Sequence, residues 1–352
     1  MKLNILHLFD SLFPGGAQKI VVKYINNLPE FNHHAVYLAK DEQLKKDINA
    51  HCEYIPQKKG LGIIITVYNI YRYCKKNKID VISCSIYNAQ IIGRLVAMLL
   101  PKIKCVTTYQ GTPYMDYIPR AKFLARIDRL TQRKRFYYIA VSNAVKEHIY
   151  EKVSSRYPIT VIYNCADKYY YENTVKPIYT SKEVLKFVFI GNNFVEKNIG
   201  YLVNLFRKLD PKNFELHVMG GMMEPYIKDI EDNKTTNIFF HGMQKITKEL
   251  LLSYDIYIAS GVGEGSPLAT IEAMALGLPT ALANTGAYME VAGNVGYFFN
   301  PYNLESGITV LTELYNNQDK LQGISNHHFE FSRNFTEEIL TDKMRNYFNQ
   351  LK

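Results

Sequence analysis

Two glutamates in one short segment have the spacing and the surroundings of a ligand-binding pair. Residues 260–279, with the sequence SGVGEGSPLATIEAMALGLP, place Glu264 and Glu272 eight residues apart. The Gly-Ser-Pro at 265–267 indicates a turn. The apolar run at 268–276 predicts a helix, which the following Gly-x-Pro ends. Glu264 therefore lies before the helix and Glu272 lies about one turn inside it.

This arrangement suits a ligand with hydroxyl groups at both ends and an anion between them. The first N–H groups of a helix lack partners within the helix, and with the helix dipole they attract an anion. The flanking carboxylates accept hydrogen bonds from hydroxyl groups. A nucleoside diphosphate sugar consists of a ribose, a diphosphate and a sugar, and it matches this pattern.

The segment resembles the retaining glycosyltransferases of family 4. Their signature is Glu, seven residues and Glu, commonly followed by Ala-Met-Ala and Gly-x-Pro, and this chain has those residues at 273–275 and 277–279. Further matches occur along the chain in the family's order, at residues 14–18, 140–143, 161–167, 187–191 with Lys197, 217–221 and 238–242. The resemblance implies an α/β protein with the GT-B fold, in which two Rossmann-like domains face each other across a deep interdomain cleft.

The resemblance also implies a role for each site residue. Glu264 would hold hydroxyl groups of the donor sugar and shield the positive charge that develops at the anomeric carbon. Glu272 would bind the ribose, and Lys197 would pair with the diphosphate as it leaves. The base would pack beside Gly242 and Met243. The implied donor-binding residues are Gly15, Gly16, Gly191, Asn192, Lys197, Gly242, Met243, Glu264, Gly265, Ser266, Leu268, Ala269 and Glu272.

Two positions depart from the family pattern. Asn192 stands where the family usually has an arginine, so Lys197 is expected to carry more of the interaction with the diphosphate. Gln110 stands where the first domain usually offers a histidine near the donor sugar. A glutamine can hydrogen-bond a sugar hydroxyl but cannot titrate, and this favours a positioning role. The predicted catalytic set is therefore Glu264, Lys197 and Gln110.

The rest of the sequence has the alternation of strands and helices that is typical of parallel α/β sheets. Strands are predicted at residues 3–9, 35–38, 81–84, 106–108, 138–141 and 160–163, and in a second set at 186–190, 215–219, 238–241, 256–259 and 280–283. The apolar stretch at 61–67 is expected to be a buried strand or the start of a buried helix. Residues 168–186 break the alternation and indicate a linker. The predicted division is an acceptor-binding domain at 1–170, a donor-binding domain at 171–335 and a final helix at 336–352 that returns to the first domain.

The charge is distributed unevenly. Residues 1–172 contain 26 Lys and Arg against 13 Asp and Glu, whereas residues 173–352 contain 16 against 20. Lys122, Arg126, Arg129 and Arg133 recur at intervals of three and four, which places them on one face of a helix. Phe123, Ile127 and Leu130 fall on a neighbouring face. The patch fits an anionic membrane surface or the acceptor, although a solvated helix or a nucleic-acid contact has the same pattern. No nucleic-acid-binding motif accompanies it, so nucleic acid is not expected.

No metal or other cofactor is expected. The chain contains no Asp-x-Asp sequence, and its five cysteines are scattered without a Cys-x-x-Cys pair. Such cysteines are typical of a reducing cytosol. The pairs His33-His34 and His327-His328 lack a carboxylate or cysteine at ligand spacing and are interpreted as surface or loop residues. His7 is interpreted as a core residue, and Tyr114, Asp116 and Tyr117 as candidates to line the acceptor site.

The residues and the family resemblance together predict a cytoplasmic retaining glycosyltransferase, and the basic helix is consistent with a location at the inner face of the cell membrane. It would transfer a hexose or N-acetylhexosamine from a nucleoside diphosphate sugar, with UDP favoured over GDP-mannose. The acceptor would be a glycan or lipid-linked glycan of surface polysaccharide or lipopolysaccharide biosynthesis. Two alternatives remain, a nucleotide-sugar epimerase of the same fold and a catalytically silent subunit that binds glycan or nucleotide. The glutamine at position 110 argues against the epimerase, which needs acid–base groups.

Overall fold

The computed structural model describes residues 2–58, 60–115, 118–172, 174 and 176–352. The chain forms two compact units. The first contains the residues up to Asn164 together with Glu337–Lys352, and the second contains Cys165–Thr336.

The first unit is built on a parallel sheet of seven strands in the order β3-β2-β1-β4-β5-β6-β7. The strands are β1 (Asn4–Phe9), β2 (Asn32–Tyr37), β3 (His51–Tyr54), β4 (Val81–Cys84), β5 (Lys104–Tyr109), β6 (Tyr137–Ala140) and β7 (Ile159–Val161). The helices are α1 (Gly16–Asn27), α2 (Ile63–Lys76), α3 (Tyr87–Leu99), α4 (Ala121–Thr131), α5 (Asn143–Lys152) and the last helix of the chain, α13 (Glu337–Asn349).

In the first unit, helices pack on both faces of the sheet, and the apolar sequences of its strands explain why. Parallel strands covered on both faces are apolar along their whole length, and β1 is buried from Ile5 to Phe9. On one face, side chains of β1, β4 and β5 share a core with α2, α3, α4 and α5. Helix α13 packs against α1, and Lys23 of α1 forms an ion pair of 2.9 Å with Glu337.

The second unit is built on a parallel sheet of six strands in the order β10-β9-β8-β11-β12-β13. The strands are β8 (Leu185–Ile190), β9 (Phe214–Met219), β10 (Ile238–Phe240), β11 (Ile256–Ala259), β12 (Thr280–Ala283) and β13 (Tyr297–Phe299). The helices are α6 (Ile199–Phe206), α7 (Glu224–Asp232), α8 (Lys248–Leu252), α9 (Leu268–Ala275), α10 (Gly286–Val291), α11 (Leu304–Asn316) and α12 (Leu321–Phe331).

The prediction of two Rossmann-like parallel sheets is confirmed, and a strand lies at each of the predicted positions. The sequence did not predict β3 and β13. Strand β3 forms an edge of its sheet and has exposed residues such as His51 and Glu53, and β13 has only three residues. Neither therefore has the length or the apolar pattern of a buried strand.

The apolar stretch at 61–67 was predicted only in part. A helix does start there, since α2 begins at Ile63. The expected burial was wrong for Ile64 and Ile65, whose side chains are 64% and 47% exposed. Only the part of α2 that carries Thr66, Val67 and Ile70 faces the core. Within the described ranges, no helix combines the length and the apolar character needed to cross a membrane.

Candidate active site

The Glu-x7-Glu segment folds as the sequence predicted. Strand β11 ends at Ala259, a loop follows, and α9 runs from Leu268 to Ala275. Gly277 then adopts a φ of +76°, a conformation that glycine allows at a helix C-terminus. Glu272 lies one turn inside the helix and its side chain is partly exposed. Neither Leu268 nor Ala269 is fully buried, so the amino end of α9 is accessible.

Glu264 forms an ion pair with Lys197. The distance from Lys197 Nζ to Glu264 Oε1 is 2.5 Å, and the two side chains are 26% and 11% exposed. Lys197 ends a short 3-10 helix, Val195–Lys197, in the loop after β8. Because β8 and β11 are neighbours in the sheet, the loops that follow them meet at one edge.

Close contacts hold these two loops together. The hydroxyl of Ser260 donates to the carbonyl oxygens of Lys197 and Asn198, at 3.2 and 2.9 Å. A Cβ atom on Gly261 would lie 2.9 Å from Glu264 Cγ and 2.8 Å from the hydroxyl of Tyr288. Only glycine therefore fits there without a shift of the neighbouring side chains. The sequence analysis missed Ser260, Gly261 and Tyr288, and the Gly-x-Gly sequence at 261–263 was the available signal.

A buried hydroxyl lies in the same loop. Ser266 is 6% exposed, and its Oγ has no hydrogen-bond partner among the described residues. An unpaired buried hydroxyl costs free energy unless a ligand or a water molecule satisfies it. Ser266 thus has hydrogen-bonding capacity at the amino end of α9, next to Pro267.

Three neighbouring strand ends bring the predicted glycines together. Gly191, which follows β8, donates from its backbone N–H to the carbonyl oxygen of Met219 at 2.9 Å. Gly220, which follows β9, donates in the same way to the carbonyl oxygen of Gly242 at 2.9 Å. Gly220 approaches so closely that a Cβ atom there would lie 1.9 Å from the carbonyl oxygen of Gly191. Asn192, predicted as a donor ligand, accepts a hydrogen bond of 2.8 Å from the N–H of Gly221 through its side-chain oxygen. Its side-chain NH₂ group is the part that remains to donate to a ligand.

Met243 lies three residues after the end of β10 and its side chain is 72% exposed. The sequence analysis did not predict that His241, which directly follows β10, pairs with His217 of β9. The rings of His217 and His241 stack with their centroids 5.2 Å apart, and Nδ1 of His217 lies 3.0 Å from Nε2 of His241. Glu215 lies 3.2 Å from the other ring nitrogen of His217. Burial, together with the charge of His241, lowers the pKa of His217 and favours its neutral form.

The first unit contains the remaining predicted ligands. Gly15 and Gly16 lie at the amino end of α1, and a Cβ atom on Gly15 would lie 2.6 Å from Gln18 Oε1. Gln110 directly follows β5, and its Oε1 accepts a hydrogen bond of 3.3 Å from the buried Asn164. Asp10 was not predicted, and it accepts a hydrogen bond of 2.7 Å from the N–H of Ala89.

The predicted basic helix is α4, and its cations are exposed. Lys122, Arg126 and Arg129 lie on its surface. The prediction was wrong for Arg133, because α4 ends at Thr131 and Gln132 is extended, so Arg133 is exposed in the loop that follows. Arg129 donates to the carbonyl oxygen of Val153, and Arg133 donates to those of Leu130 and Gln132. The neighbouring apolar face is only partly covered, because Phe123 and Leu130 are 56% and 72% exposed. The outer surface of α4 thus combines cations with exposed apolar side chains.

The inner face of α4 carries a buried ion pair that the sequence analysis missed. Arg94 Nη1 lies 2.6 Å from Asp128 Oδ1, and both side chains are 0% exposed. Tyr109 and Tyr114 donate to the two oxygens of Asp128, at 3.1 and 2.5 Å. Burial, followed by the charge of Asp128, raises the pKa of both phenols, so both remain donors. Tyr114 is thereby fixed in the protein interior; Asp116 and Tyr117 lie outside the described residues.

The histidine predictions are corrected in part. His328 is 0% exposed, and its ring nitrogens lie 3.1 and 3.0 Å from the carbonyl oxygens of Leu278 and Val295. It is therefore a core residue of α12, whereas a surface or loop position was expected. His7 is 1% exposed and lies 2.9 Å from His33, and the core interpretation is confirmed. No cluster of three or more His, Cys, Asp or Glu with metal-binding geometry occurs among the described residues.

The chain matches two models of glycosyltransferase domains. The model "Glycosyltransferase Family 4" matches residues 14–168, and the model "Glycosyl transferases group 1" matches residues 185–317. The two matches cover the sequence from residue 14 to residue 317, apart from residues 169–184.

Several individual proteins with similar sequences or folds are also glycosyltransferases or share their fold. The O-antigen biosynthesis glycosyltransferase WbnH of Escherichia coli is 23% identical over 287 residues, which span 80% of this chain and 81% of the relative. The crystal structure of Anabaena Alr3699/HepE with UDP and glucose has a TM-score of 0.81 at 16% identity and covers 99% of this chain and 100% of that one. A glycosyltransferase from Rickettsia africae has a TM-score of 0.77 at 19% identity, with 99% and 98% covered. At such identities, the structural matches show the shared GT-B fold.

Proposed function

The chain is a glycosyltransferase that combines a family 4 domain with a group 1 domain, and we propose that it transfers a hexose or N-acetylhexosamine from a nucleoside diphosphate sugar with retention of configuration. UDP is the favoured nucleotide. The observation that carries the proposal is the contact between Lys197 and Glu264 at the strand ends beside the amino end of α9. A cation for the diphosphate and a carboxylate for the sugar are there within 2.5 Å of each other.

The diphosphate is proposed to bind at the amino end of α9. Lys197 supplies the positive charge, and the N–H groups of Leu268 and Ala269 supply hydrogen bonds. Ser266 supports this role because its buried hydroxyl has no partner among the described residues. Gly265 leaves room for the phosphate to approach the backbone. Gly191 and the NH₂ group of Asn192 border the same strand ends.

The sugar and the nucleoside are assigned to either side of the diphosphate. Glu264 accepts hydrogen bonds from sugar hydroxyls and stabilises positive charge at the anomeric carbon. Glu272 accepts hydrogen bonds from the ribose hydroxyls, and the base packs on Gly242 and the exposed Met243. For Gln110, the proposal is a hydrogen bond to a sugar hydroxyl, with the side chain oriented by Asn164. Gly15 and Gly16 are proposed to offer backbone N–H groups to the donor.

The reaction proposed for this site is a front-face substitution. The bond between the anomeric carbon and the diphosphate oxygen breaks, and its electron pair leaves with the phosphate. The acceptor hydroxyl attacks from the same face and forms the new glycosidic bond. Its proton passes to the departing phosphate oxygen. Lys197 stabilises the negative charge of the leaving diphosphate, and a divalent metal is not needed for that purpose in this proposal.

Donor binding also requires an exchange of partners. In the structure, Lys197 and Glu264 neutralise each other. A diphosphate carries more negative charge than one carboxylate and would attract Lys197 away from it. Glu264 would then be released to accept sugar hydroxyls. The pair thus keeps both groups near their working positions before the donor arrives.

The acceptor and the location are proposed from two further observations. WbnH is named for O-antigen biosynthesis, and this supports an acceptor of the lipopolysaccharide or surface polysaccharide class, as a glycan or a lipid-linked glycan. The exposed cations and apolar residues of α4 support binding to the anionic inner face of the cell membrane from the cytoplasm. Lys122, Phe123 and Arg126 are all exposed on this helix.

Calorimetric titration with UDP and GDP, in the presence of EDTA, tests the donor assignment. We expect micromolar binding of UDP. Glu272→Ala is expected to weaken it about tenfold, equivalent to about 1.4 kcal/mol. Glu231→Ala, at an exposed carboxylate of α7, is the matched control and should leave the affinity unchanged. Failure of the wild type to bind either nucleotide would contradict the proposal.

A second assay separates an enzyme from a silent binding subunit. Membranes that contain lipid-linked acceptor are incubated with radiolabelled UDP-sugars, and transfer into the lipid fraction is measured. We expect transfer with the wild type and strongly reduced transfer with Glu264→Ala. A chain that binds UDP but transfers no sugar from any donor would instead be the binding subunit.

A further inference from the structure

A cavity of about 530 Å³ opens in the second unit beside the loop that carries Lys197. Its walls are the loop after β8, α6 from Ile199 to Asn204, one side chain of α7, and the loop before α11 with the first residue of α11. The volume lies in the range of small-molecule sites. Its polar and aromatic lining residues include Asn193, Phe194, Asn198, Asn204, Tyr226 and Tyr302.

The lining has no ionic groups. Among the described residues that form it, none is charged, although 21% of the chain's residues are. A charged ligand would lose hydration there without gaining an opposite charge, which is unfavourable. A neutral ligand loses little by comparison. The lining therefore selects for a neutral molecule.

The lining combines aromatic rings with amide groups. Phe194 and Tyr302 are 44% and 74% exposed, so both rings are accessible to a ligand. Asn204 and Tyr302 are both exposed, so the amide and the phenol hydroxyl are accessible to a ligand. An asparagine side chain both donates and accepts hydrogen bonds. Aromatic faces suit the C–H faces of a sugar ring, and amides suit its hydroxyl rim.

We propose that this cavity is a binding site for a neutral saccharide, separate from the nucleotide-sugar ligands assigned above. Tyr302 and Phe194 stack on the sugar faces, and Asn204 and Asn193 bind hydroxyl groups. The assignment follows from the lining alone and does not depend on the proposed donor. If the proposed function holds, the site would bind a neutral part of the glycan.

The cavity is linked directly to the proposed catalytic cation. Lys197 donates from its backbone N–H to the carbonyl oxygen of Phe194, at 2.9 Å. On the opposite wall, Asn198 donates from its side chain to the carbonyl oxygen of Pro301, at 3.2 Å. One short turn thus forms a wall of the cavity and positions Lys197. A saccharide in the cavity would stabilise this turn.

A second cavity, of about 460 Å³, provides a comparison within the molecule. It lies in the first unit, beside β3 and α2, and its lining includes Glu53, Arg72 and Lys76. It also contains a partly exposed tyrosine, Tyr54, which is 39% exposed. Its charged lining residues distinguish it from the uncharged cavity of the second unit, so it serves as the comparison site.

The absence of tryptophan from the chain allows a specific test. Tyr302→Trp introduces a single tryptophan that keeps an aromatic ring in the cavity. Tyr54→Trp places the same probe in the charged cavity. The fluorescence of each full-length variant is titrated with maltotriose, chitotriose and trigalacturonate. Phe194→Trp serves as a second reporter, and the thermal unfolding midpoint of each variant is compared with that of the wild type.

We expect a saturable change in the emission of the Tyr302→Trp variant with at least one neutral trisaccharide. Addition of Asn204→Ala should weaken that binding tenfold or more, and Tyr54→Trp should not respond. Three results would overturn the inference: no response of either reporter in the cavity, an equal response of Tyr54→Trp, or equally tight binding of trigalacturonate. UDP titration of the same samples reports separately on the donor site. Saccharide binding without UDP binding would refute the proposed function alone, and the reverse result would refute this inference alone.

Discussion

The ion pair Arg94–Asp128 in the first unit and the ion pair Lys197–Glu264 in the second differ in their access to solvent. Arg94 and Asp128 lie 2.6 Å apart with no exposed side-chain surface. Lys197 and Glu264 lie 2.5 Å apart but are 26% and 11% exposed. The charges and the distances are similar. The difference is that a ligand can reach only the second pair.

The two carboxylates also differ in the number of hydrogen bonds that they receive from the protein. A buried charge loses its hydration and must be compensated by hydrogen bonds. Asp128 therefore receives hydrogen bonds from Tyr109 and Tyr114, and its environment is fixed. The carboxylate oxygen of Glu264 that meets Lys197 has no further hydrogen-bond donor among the described residues. Its other possible partners are ligands. The buried pair thus maintains the fold, whereas the accessible pair can exchange partners.

The largest expected effect comes from breaking the buried pair. Asp128→Ala leaves Arg94 buried without a counter-charge, and we expect a loss of about 3–5 kcal/mol in the free energy of unfolding. Urea denaturation measures it. Glu151→Ala, which removes the exposed pair with Lys152, is the control and should change stability by less than about 0.5 kcal/mol. Equal losses in the two variants would contradict the comparison.

A double substitution refines the same prediction. Arg94→Met combined with Asp128→Leu removes both charges, so that neither remains unpaired. We expect a smaller loss than for Asp128→Ala alone, because apolar replacement of a whole buried pair is often nearly neutral. A double variant less stable than the single variant would show that hydrogen bonds from the tyrosines, and not the charges, dominate.

The next largest effect concerns the accessible pair. Glu264→Gln removes the carboxylate but keeps the size of the side chain, and we expect kcat to fall by about 10²–10³-fold. UDP affinity should not decrease, since Lys197 no longer has a competing partner. Turnover and calorimetry on the same sample measure both quantities. The control is Glu196→Gln, at the residue next to Lys197 in sequence. Unchanged turnover together with lower stability in Glu264→Gln would indicate a structural role for Glu264.

From the sequence, Glu264 and Lys197 were each named as site candidates, although their contact was not predicted, whereas neither residue of the buried pair was named. Glu264 and Lys197 belong to local patterns, a helix start and a strand end, that place functional groups at the carboxyl edge of a parallel sheet. Arg94 and Asp128 lie on different helices, 34 positions apart, and nothing in the local pattern of either helix indicates that they meet. The same holds for His328, which is buried because α12 packs on α9 and not because of its neighbours in sequence. Gly261 has a recognisable turn sequence, but the need for glycine arises from its contacts with Glu264 and Tyr288.

A smaller effect is expected on the outer surface of α4, the helix whose inner face holds Asp128. Lys122→Gln with Arg126→Gln should weaken binding to vesicles that contain anionic lipid by about 2 kcal/mol, at about 1 kcal/mol per charge. Vesicle co-sedimentation at low salt measures it. Lys75→Gln with Lys76→Gln, at exposed cations of α2, is the matched control. Equal losses in the two double variants would assign the effect to net charge and not to α4.

The smallest effect extends the comparison to pH. Burial first, and then the charges of His33 and His34, lowers the pKa of His7 below its ordinary value, whereas the unfolded chain keeps the ordinary one. Below about pH 6.5 the unfolded chain therefore binds more protons, so this stabilising contribution is present above that pH and is lost as the pH falls. Each additional proton changes stability by at most about 1.4 kcal/mol per pH unit. We expect His7→Gln to reduce the fall in the thermal unfolding midpoint between pH 7.5 and pH 5.5, with His51→Gln, at an exposed histidine of β3, as the control. An unchanged pH dependence in His7→Gln would mean that other buried histidines, such as His328, carry the effect.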